Sequence, residues 1–478
     1  MSRLVSVLAV AFPSISVWPL VILYVMTLWQ LAAGQTPPPA LPSTPVTPVP
    51  TSPLPTPVQK MQVGSFLISS TDFPPDTRAV SCPNASGEIA FVNEPSRGIF
   101  LWSQGIVNTV AVENDLKPDG WEEVDYPFYL SLNTAGKIAF GTRAYKERRQ
   151  LSHLYTPGIL PSTWDTIFLG SSGTLAKIQE APEEITVSDT IFLGSSGTLR
   201  KVATTGDSSP IGSTFSVILP QVFLNARDQL LFAASIGAPD DAPDQGGLFL
   251  ASKDTIAKVI ALGDTSPLGG TFSYILGGIV GGMVMPFSFS LNNQGHVAFV
   301  GMVEGGTAPM GVFVAADGVI RKVIAVGESL PTMGKFKALA FPTLNDVGNV
   351  AFFASREGYA RGGIFTSSST TLTKIVVTDD PAPNGKQFDA LDAPPALNNK
   401  GQVAFGAKMT DGKKGIFLAS GGVIQKVIVD GDPAPAGRTF TFPRGGPYDS
   451  TPMGYCLDDS GQVAFHSEQG LFLASPIK

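Results

Sequence analysis

Seven times the chain repeats one eight-residue phrase: Asn or Asp, two residues, Gly, one residue, then an apolar triplet ending in Phe. The copies begin at Asn84, Asn133, Asn225, Asn292, Asn345, Asn398 and Asp458 and end at Phe91, Phe140, Phe232, Phe299, Phe352, Phe405 and Phe465. A feature present in every unit builds a scaffold, because an active site is one asymmetric constellation. The physics of the phrase is a tight turn feeding a buried strand. The first side chain hydrogen-bonds its own backbone two residues on, and Gly three residues later takes the positive φ that closes the turn.

Three further segments recur around each copy. An apolar run such as Gly415-Ile-Phe-Leu418 follows the phrase, and another such as Ile424 to Ile428 comes about ten residues later. Then an acidic residue precedes Pro by three positions, at Asp72, Asp115, Asp207, Asp264, Glu328, Asp380 and Asp432, and a Phe-containing segment such as Thr271-Phe272 leads into the next Asn. Short runs rich in Val, Ile and Phe and bounded by Gly are β-segments, and their apolar faces call for cover on both sides. Four strands per unit, repeated with turns between, predict an all-β chain folded as a β-propeller of seven four-stranded blades.

Spacings between successive phrases are 49, 92, 67, 53, 53 and 60 residues. A blade needs about 40 to 50 residues, so only the second spacing is anomalous. Within it Asp165 to Leu175 recurs without change as Asp189 to Leu199. This predicts an extra hairpin on the second blade near 165–199, with an added partial blade as the alternative. The ends are complementary. Only Gly470 to Ala474 follows the last phrase, while Gln62 to Ser70 precedes the first acidic turn as an orphan strand, so pairing the two closes the ring and removes an open sheet edge. A closed ring of this size predicts a monomer.

Residues 1–34 carry Arg3 and then an uncharged apolar stretch ending in Ala32-Ala33-Gly34, which reads as a signal peptide or a retained N-terminal membrane anchor. Residues 35–60 form a Pro-rich linker, with ten prolines and no charge between 35 and 58. It is an extended spacer. The propeller then occupies 61–478, exported and periplasmic, secreted or tethered at the cell surface. Nothing resembling a sorting signal ends the chain at Lys478, so any anchor is the N-terminal one.

The phrase resembles that of the NxxGxxAF tandem-repeat family of exported bacterial proteins, called "choice-of-anchor", and also the blade repeat of the periplasmic translocation protein TolB. The resemblance covers 61–478 and implies the propeller but no activity. Departures are Asp228 for Gly, Leu231 for Ala and Asp458 for Asn. Asp228 must then adopt a left-handed backbone, which Asp tolerates at some cost.

Catalytic residues, cofactor-binding residues and metal ligands are all read as none. His153, His296 and His466 are scattered, and no metalloprotease, nucleophile-elbow or phosphate-loop motif occurs. Asp207, Asp264, Glu328, Asp380 and Asp432 could ring a cation, but a carboxylate beside a turn Pro is expected to bond its own turn. Asp240, Asp241 and Asp244 read as a solvated loop. Net charge −7 and charged residues at 15%, against a typical quarter, speak against nucleic acid as a partner. Two function classes stand: a noncatalytic propeller binding a protein or glycan through its loops, and a propeller enzyme, a polysaccharide lyase or glycoside hydrolase, with funnel carboxylates. Cys82 and Cys456 each lie two residues before a phrase, in blades that closure makes neighbours, and could pair only if the strands converge near the axis.

Overall fold

The structure is a computed structural model that describes most of residues 60–477, leaving out chiefly 71–76, 126–129, 147–165, 181–186, 238–244, 285–288 and 443–454. The N-terminal 1–59, the turn at Asp72, His153 and the acidic loop Asp240, Asp241 and Asp244 lie outside the described residues. The rest is a seven-bladed β-propeller. Blade 6 shows the plan: strands Phe388–Leu397, Val403–Met409, Lys414–Ser420 and Val423–Val429 pair antiparallel in sequence order. Blades 1, 2, 3, 4 and 5 span 77–112, 123–204, 215–261, 271–325 and 338–377. The Asn phrase links the first strand of each blade to the second, and the Phe segment before it is that first, innermost strand.

Burial follows strand order. The second and third strands are buried almost throughout, as in Val403–Met409, whereas the fourth is half-exposed, as in Thr255–Ala261. The expectation of cover on both faces therefore fails for the fourth strand, because it is the rim of the ring and has a neighbour on one side only. First strands are broken near their middle, by register shifts at Ile218/Val222, Ala340/Thr343 and Asp392/Ala396 and by complete splits in blades 2 and 4. Prolines 220, 342, 394 and 395 occupy these breaks, where a missing N–H harms no ladder.

Two packing rules repeat. In five blades three Phe rings meet, two from the second and third strands and one from the first strand or, as with Phe336 and Phe440, from the segment ahead of it; in blade 6 Phe388 stands edge-on to Phe417 at 5.0 Å and near Phe405 at 5.7 Å. Each such pair is worth about 0.5–1.5 kcal/mol beyond its buried area. The third strand also bulges immediately before its Phe in blades 1 to 6. Beside the bulge stands Gly in blades 1 and 3 to 6 and Thr190 in blade 2; a Cβ on Gly247 or Gly415 would lie 2.1 or 2.7 Å from the carbonyl oxygen of the fourth strand.

Blade 7 closes the ring in an unexpected form. Its strands Tyr455–Leu457, Val463–Ser467 and Gly470–Pro476 are completed by Phe66–Ser70, as expected, but Lys60–Val63 then adds a fifth strand. What reads in sequence as one strand from Gln62 to Ser70 is a hairpin turning at Gly64, whose φ is 55°. Phe66 and Ile68 are fully buried against this blade. The cysteines do converge: Cys82 and Cys456 form a disulfide with Cα atoms 5.6 Å apart, joining blades 1 and 7 across 374 residues.

Closure thus has a strand latch and a covalent latch. Deleting 60–70 bares the edge of Gly470–Pro476 and forfeits burial of two large side chains, about 1.5–3 kcal/mol each. A marked drop in Tm is expected for that truncation and none for deletion of 35–58. Cys456→Ser should cost about 2–4 kcal/mol by freeing the unfolded chain. Equal melting temperatures across these variants would sink the closure scheme.

Candidate functional site

All seven phrase turns lie at one end of the ring around its axis, because each joins an innermost strand to its neighbour. Each Asn does two jobs. Its Oδ1 accepts the backbone N–H groups two and four residues on, as Asn398 does from Lys400 at 3.1 Å and Gln402 at 2.9 Å. Its Nδ2 donates to the backbone carbonyl of the first residue in the next blade's phrase. The chain of donations runs Asn84 to Asn133, Asn133 to Asn225, Asn225 to Asn292, Asn292 to Asn345, Asn345 to Asn398 and Asn398 to Asp458, at 2.8–3.2 Å. The sequence foretold the first job. The second needs a partner 49 to 92 residues away and has no local sign.

This dual demand explains the residue type. A short amide side chain offers a carbonyl acceptor and two N–H donors on separate atoms, which neither a hydroxyl nor a carboxylate does. Five of these asparagines are 4% exposed, so an unmade bond there is expensive. Asp458 keeps the acceptor role, taking Ser460 and Gln462 N–H at 2.9 and 2.8 Å, but has no proton to pass on. The seventh link, from blade 7 to blade 1, is the one that carries the disulfide.

The exception at Asp228 is compensated. In three other copies the second Nδ2 proton goes to the residue four places on, Glu88, Gln229 or Gln402, each at 2.8 Å. Lys137 cannot accept, so Asp228 of the next blade reaches back, taking Asn133 Nδ2 at 2.9 Å on one oxygen and the Lys137 ammonium at 2.5 Å on the other. Its φ of 60° confirms the left-handed backbone.

Just outside this ring the residue after each Asn forms a second tier. In blades 4 to 7 it alternates Asn293, Asp346, Asn399, Asp459. Asp346 accepts the backbone and side-chain N–H of Asn293 at 2.7 and 3.0 Å, and Asn399 Nδ2 bridges Asp346 and Asp459 at 3.0 and 2.8 Å. Burial pushes the Asp346 carboxyl up, but the hydrogen bonds from Asn293 and Asn399 and the Arg227 charge outweigh it and hold the pKa below the usual carboxylate value. Together the two tiers line a depression of ≈ 260 Å³, floored by leucines such as Leu291, Leu344 and Leu397.

Other candidates have structural employment. Asp207, Asp264, Asp380 and Asp432 each accept a backbone N–H three residues back, at 2.8–3.0 Å, and Lys258, Lys374 and Lys426 bind three of them from the rim strand. Glu328 likewise binds Lys322. His296 Nε2 lies 3.5 Å from the exposed Asp317. Sequence reading missed one buried pair, Arg143 with Asp189, bidentate at 2.5 and 2.9 Å, whose carboxylate also accepts Ile218 N–H and so ties blade 2 to blade 3. Burial lowers the Arg143 pKa, but the bond and charge of Asp189, with Tyr145 and Asp125, bring it above its ordinary value. Asp189 opens the duplicated segment, and that was its available signal.

Two sets of variants test the ring. Asn345→Ala removes both roles and should cost about 2–3 kcal/mol, Asn345→Asp only the donor and about 1 kcal/mol, while Asp458→Asn should add about 0.5–1.5 kcal/mol by supplying the missing link. Denaturant melts read all three. Because its folded pKa is depressed, Asp346 contributes stability above the unfolded value near ~3.9 and loses it as pH falls through the folded value. Asp346→Asn should flatten the acid limb of a stability profile, and an unchanged limb would remove that role.

The chain belongs to DUF7453, a family of unknown function whose model matches residues 166–472. No curated protein matches the sequence. Among solved structures it is similar to the acylaminoacyl peptidase of Pyrococcus horikoshii, at 9% identity and TM-score 0.42, covering 76% of this chain. It spans about half, 47%, of that peptidase. It is also similar to virginiamycin B lyase of Staphylococcus aureus, at 11% identity and TM-score 0.33 over 84% of this chain and 94% of that one. The periplasmic gluconolactonase of Pseudomonas aeruginosa matches at 12% and 0.33, over 83% and 90%. At such scores these likenesses say nothing of activity.

Proposed function

We propose that the protein is an exported, noncatalytic propeller that binds a protein or glycan at the axial mouth. The observation that carries this reading is the second tier of Asn293, Asp346, Asn399 and Asp459. Its side chains stand on a ring whose backbone is fixed by the amide relay, which lowers the ordering cost of binding. Its carboxylates already accept hydrogen bonds from amides, an arrangement suited to recognising hydroxyls or peptide groups, and Asp346, with its pKa lowered, is poor as a general acid, which needs a raised one. Export is supported by the apolar 1–34 segment and by the disulfide, which persists in oxidising compartments.

A glycan array probed with residues 60–478 tests it. Binding is expected, with a tenfold or greater loss in a folded Asn399→Ala/Asp459→Ala variant. Full retention by that variant would overturn the placement. Release of unsaturated or reducing sugars from the same glycans would turn the reading to the lyase or glycosidase class.

A further inference from the structure

The duplicated segment offers two chains for one place. Blade 2 takes its third strand from the second copy, Val187–Ser195, which pairs with Ile138–Tyr145 on one side and Thr198–Thr204 on the other. The first copy, Thr166–Ser171 with Thr174–Glu180, is a separate two-stranded hairpin. Both hairpins have the same register, Ser171 facing Thr174 as Ser195 faces Thr198, and the same bulge, at Ile167/Phe168 and at Ile191/Phe192.

From these facts we propose that blade 2 is a two-state blade, in which Thr166–Ser171 can replace Thr190–Ser195 as the third strand. Thr166 to Ser171 and Thr190 to Ser195 are identical, so that part of the third strand presents the same side chains in either state. Phe168 takes the seat of Phe192, which is 2% exposed and stacked on Phe140 at 5.6 Å. The fourth strand stays Thr198–Thr204. It must, because the first copy carries Gln179 where Ala203 is 1% exposed, and Glu180 where the Thr204 hydroxyl meets Thr190 at 2.7 Å.

What changes is where the spare chain emerges. In the observed state residues 146–186, 41 of them (186 − 145), connect the second and third strands. After exchange that connection shrinks to about 146–165, and 172–197, 26 residues (197 − 171), join the third strand to the fourth in place of the two-residue turn at 196 and 197. Successive connections of an antiparallel sheet lie at opposite ends. The exchange therefore moves a 24-residue stretch (189 − 165) from one end of the ring to the end that bears the Asn turns. Its penalty is that of enlarging a loop, which grows only logarithmically with length, together with the lost first-copy hairpin and the pairing of Val187 and Ser188 with Tyr145 and Ala144.

The test exploits redundancy. Phe192→Asp should leave a folded chain with a cooperative melt, because Phe168 substitutes; the same change in a chain lacking 163–186 should abolish the folded state. Phe168→Asp alone should leave Tm unchanged. Ala139 faces Leu193 now and faces Leu169 after exchange, so Ala139→Cys with Leu169→Cys should cross-link under oxidation in the Phe192→Asp background, giving a monomeric product. Equal loss of fold with and without 163–186, no cross-link, or a cross-link found only between two chains would overturn the proposal.

Discussion

A buried amide must satisfy two protons and its acceptor lone pairs at once, and the whole ring is organised by that requirement. The Oδ1 atom finds its donors locally, which fixes the turn. The Nδ2 atom finds its acceptor only if the next blade presents a carbonyl at the right place, which fixes the distance and angle between blades. One residue type thereby converts local turn geometry into ring geometry. The pairing of Lys137 with Asp228 shows how strict the accounting is. Where Lys137 at the fifth position of one phrase offers no acceptor, the Gly position of the next supplies one, at the cost of a left-handed Asp.

The seam between blades 7 and 1 shows what happens where the relay stops. The position two residues before each phrase forms a further layer of contacts between blades: Ser131 accepts Leu224 N–H, Ser290 accepts Leu344 N–H, and Thr343 donates to Pro395. At the seam the same layer holds Cys82 and Cys456. A covalent bond thus stands where Asp458 cannot donate. The sheet closes there too, by strands from opposite ends of the chain, so the one junction lacking an amide link is reinforced twice.

The repeat made the architecture legible, since strand count, turn chemistry and ring closure all follow from spacing and residue type. The acidic turns were legible for the same reason: Asp264 and its acceptor role are three residues apart. What could not be read depends on distant chain segments. The donor half of Asn345 requires Asn398 O. The Cys82 pairing requires convergence of inner strands, which spacing leaves open. The fifth strand at Lys60–Val63 sits where the Pro-rich segment gives way to a hairpin, with a positive φ at Gly64 as its only marker. The Asp189–Arg143 pair hid in the duplication, where identity between copies masked the chemistry of either.

The relay and the tier that lines the mouth are separated by a single residue along the chain. Five of the six phrase asparagines are buried and all six donate in the relay, whereas the residue after the phrase's first lines the axial mouth in blades 4 to 7. Thr134 and Ala226 hold that place in blades 2 and 3, Asn293, Asp346, Asn399 and Asp459 in blades 4 to 7. The mouth is thus polar and hydrogen-bonded on one side and plainer on the other, although the ring beneath it is nearly symmetric. Substitution at these positions changes the mouth and the hydrogen bonds that the second tier makes between blades 4 to 7, while the Asn relay beneath stays intact.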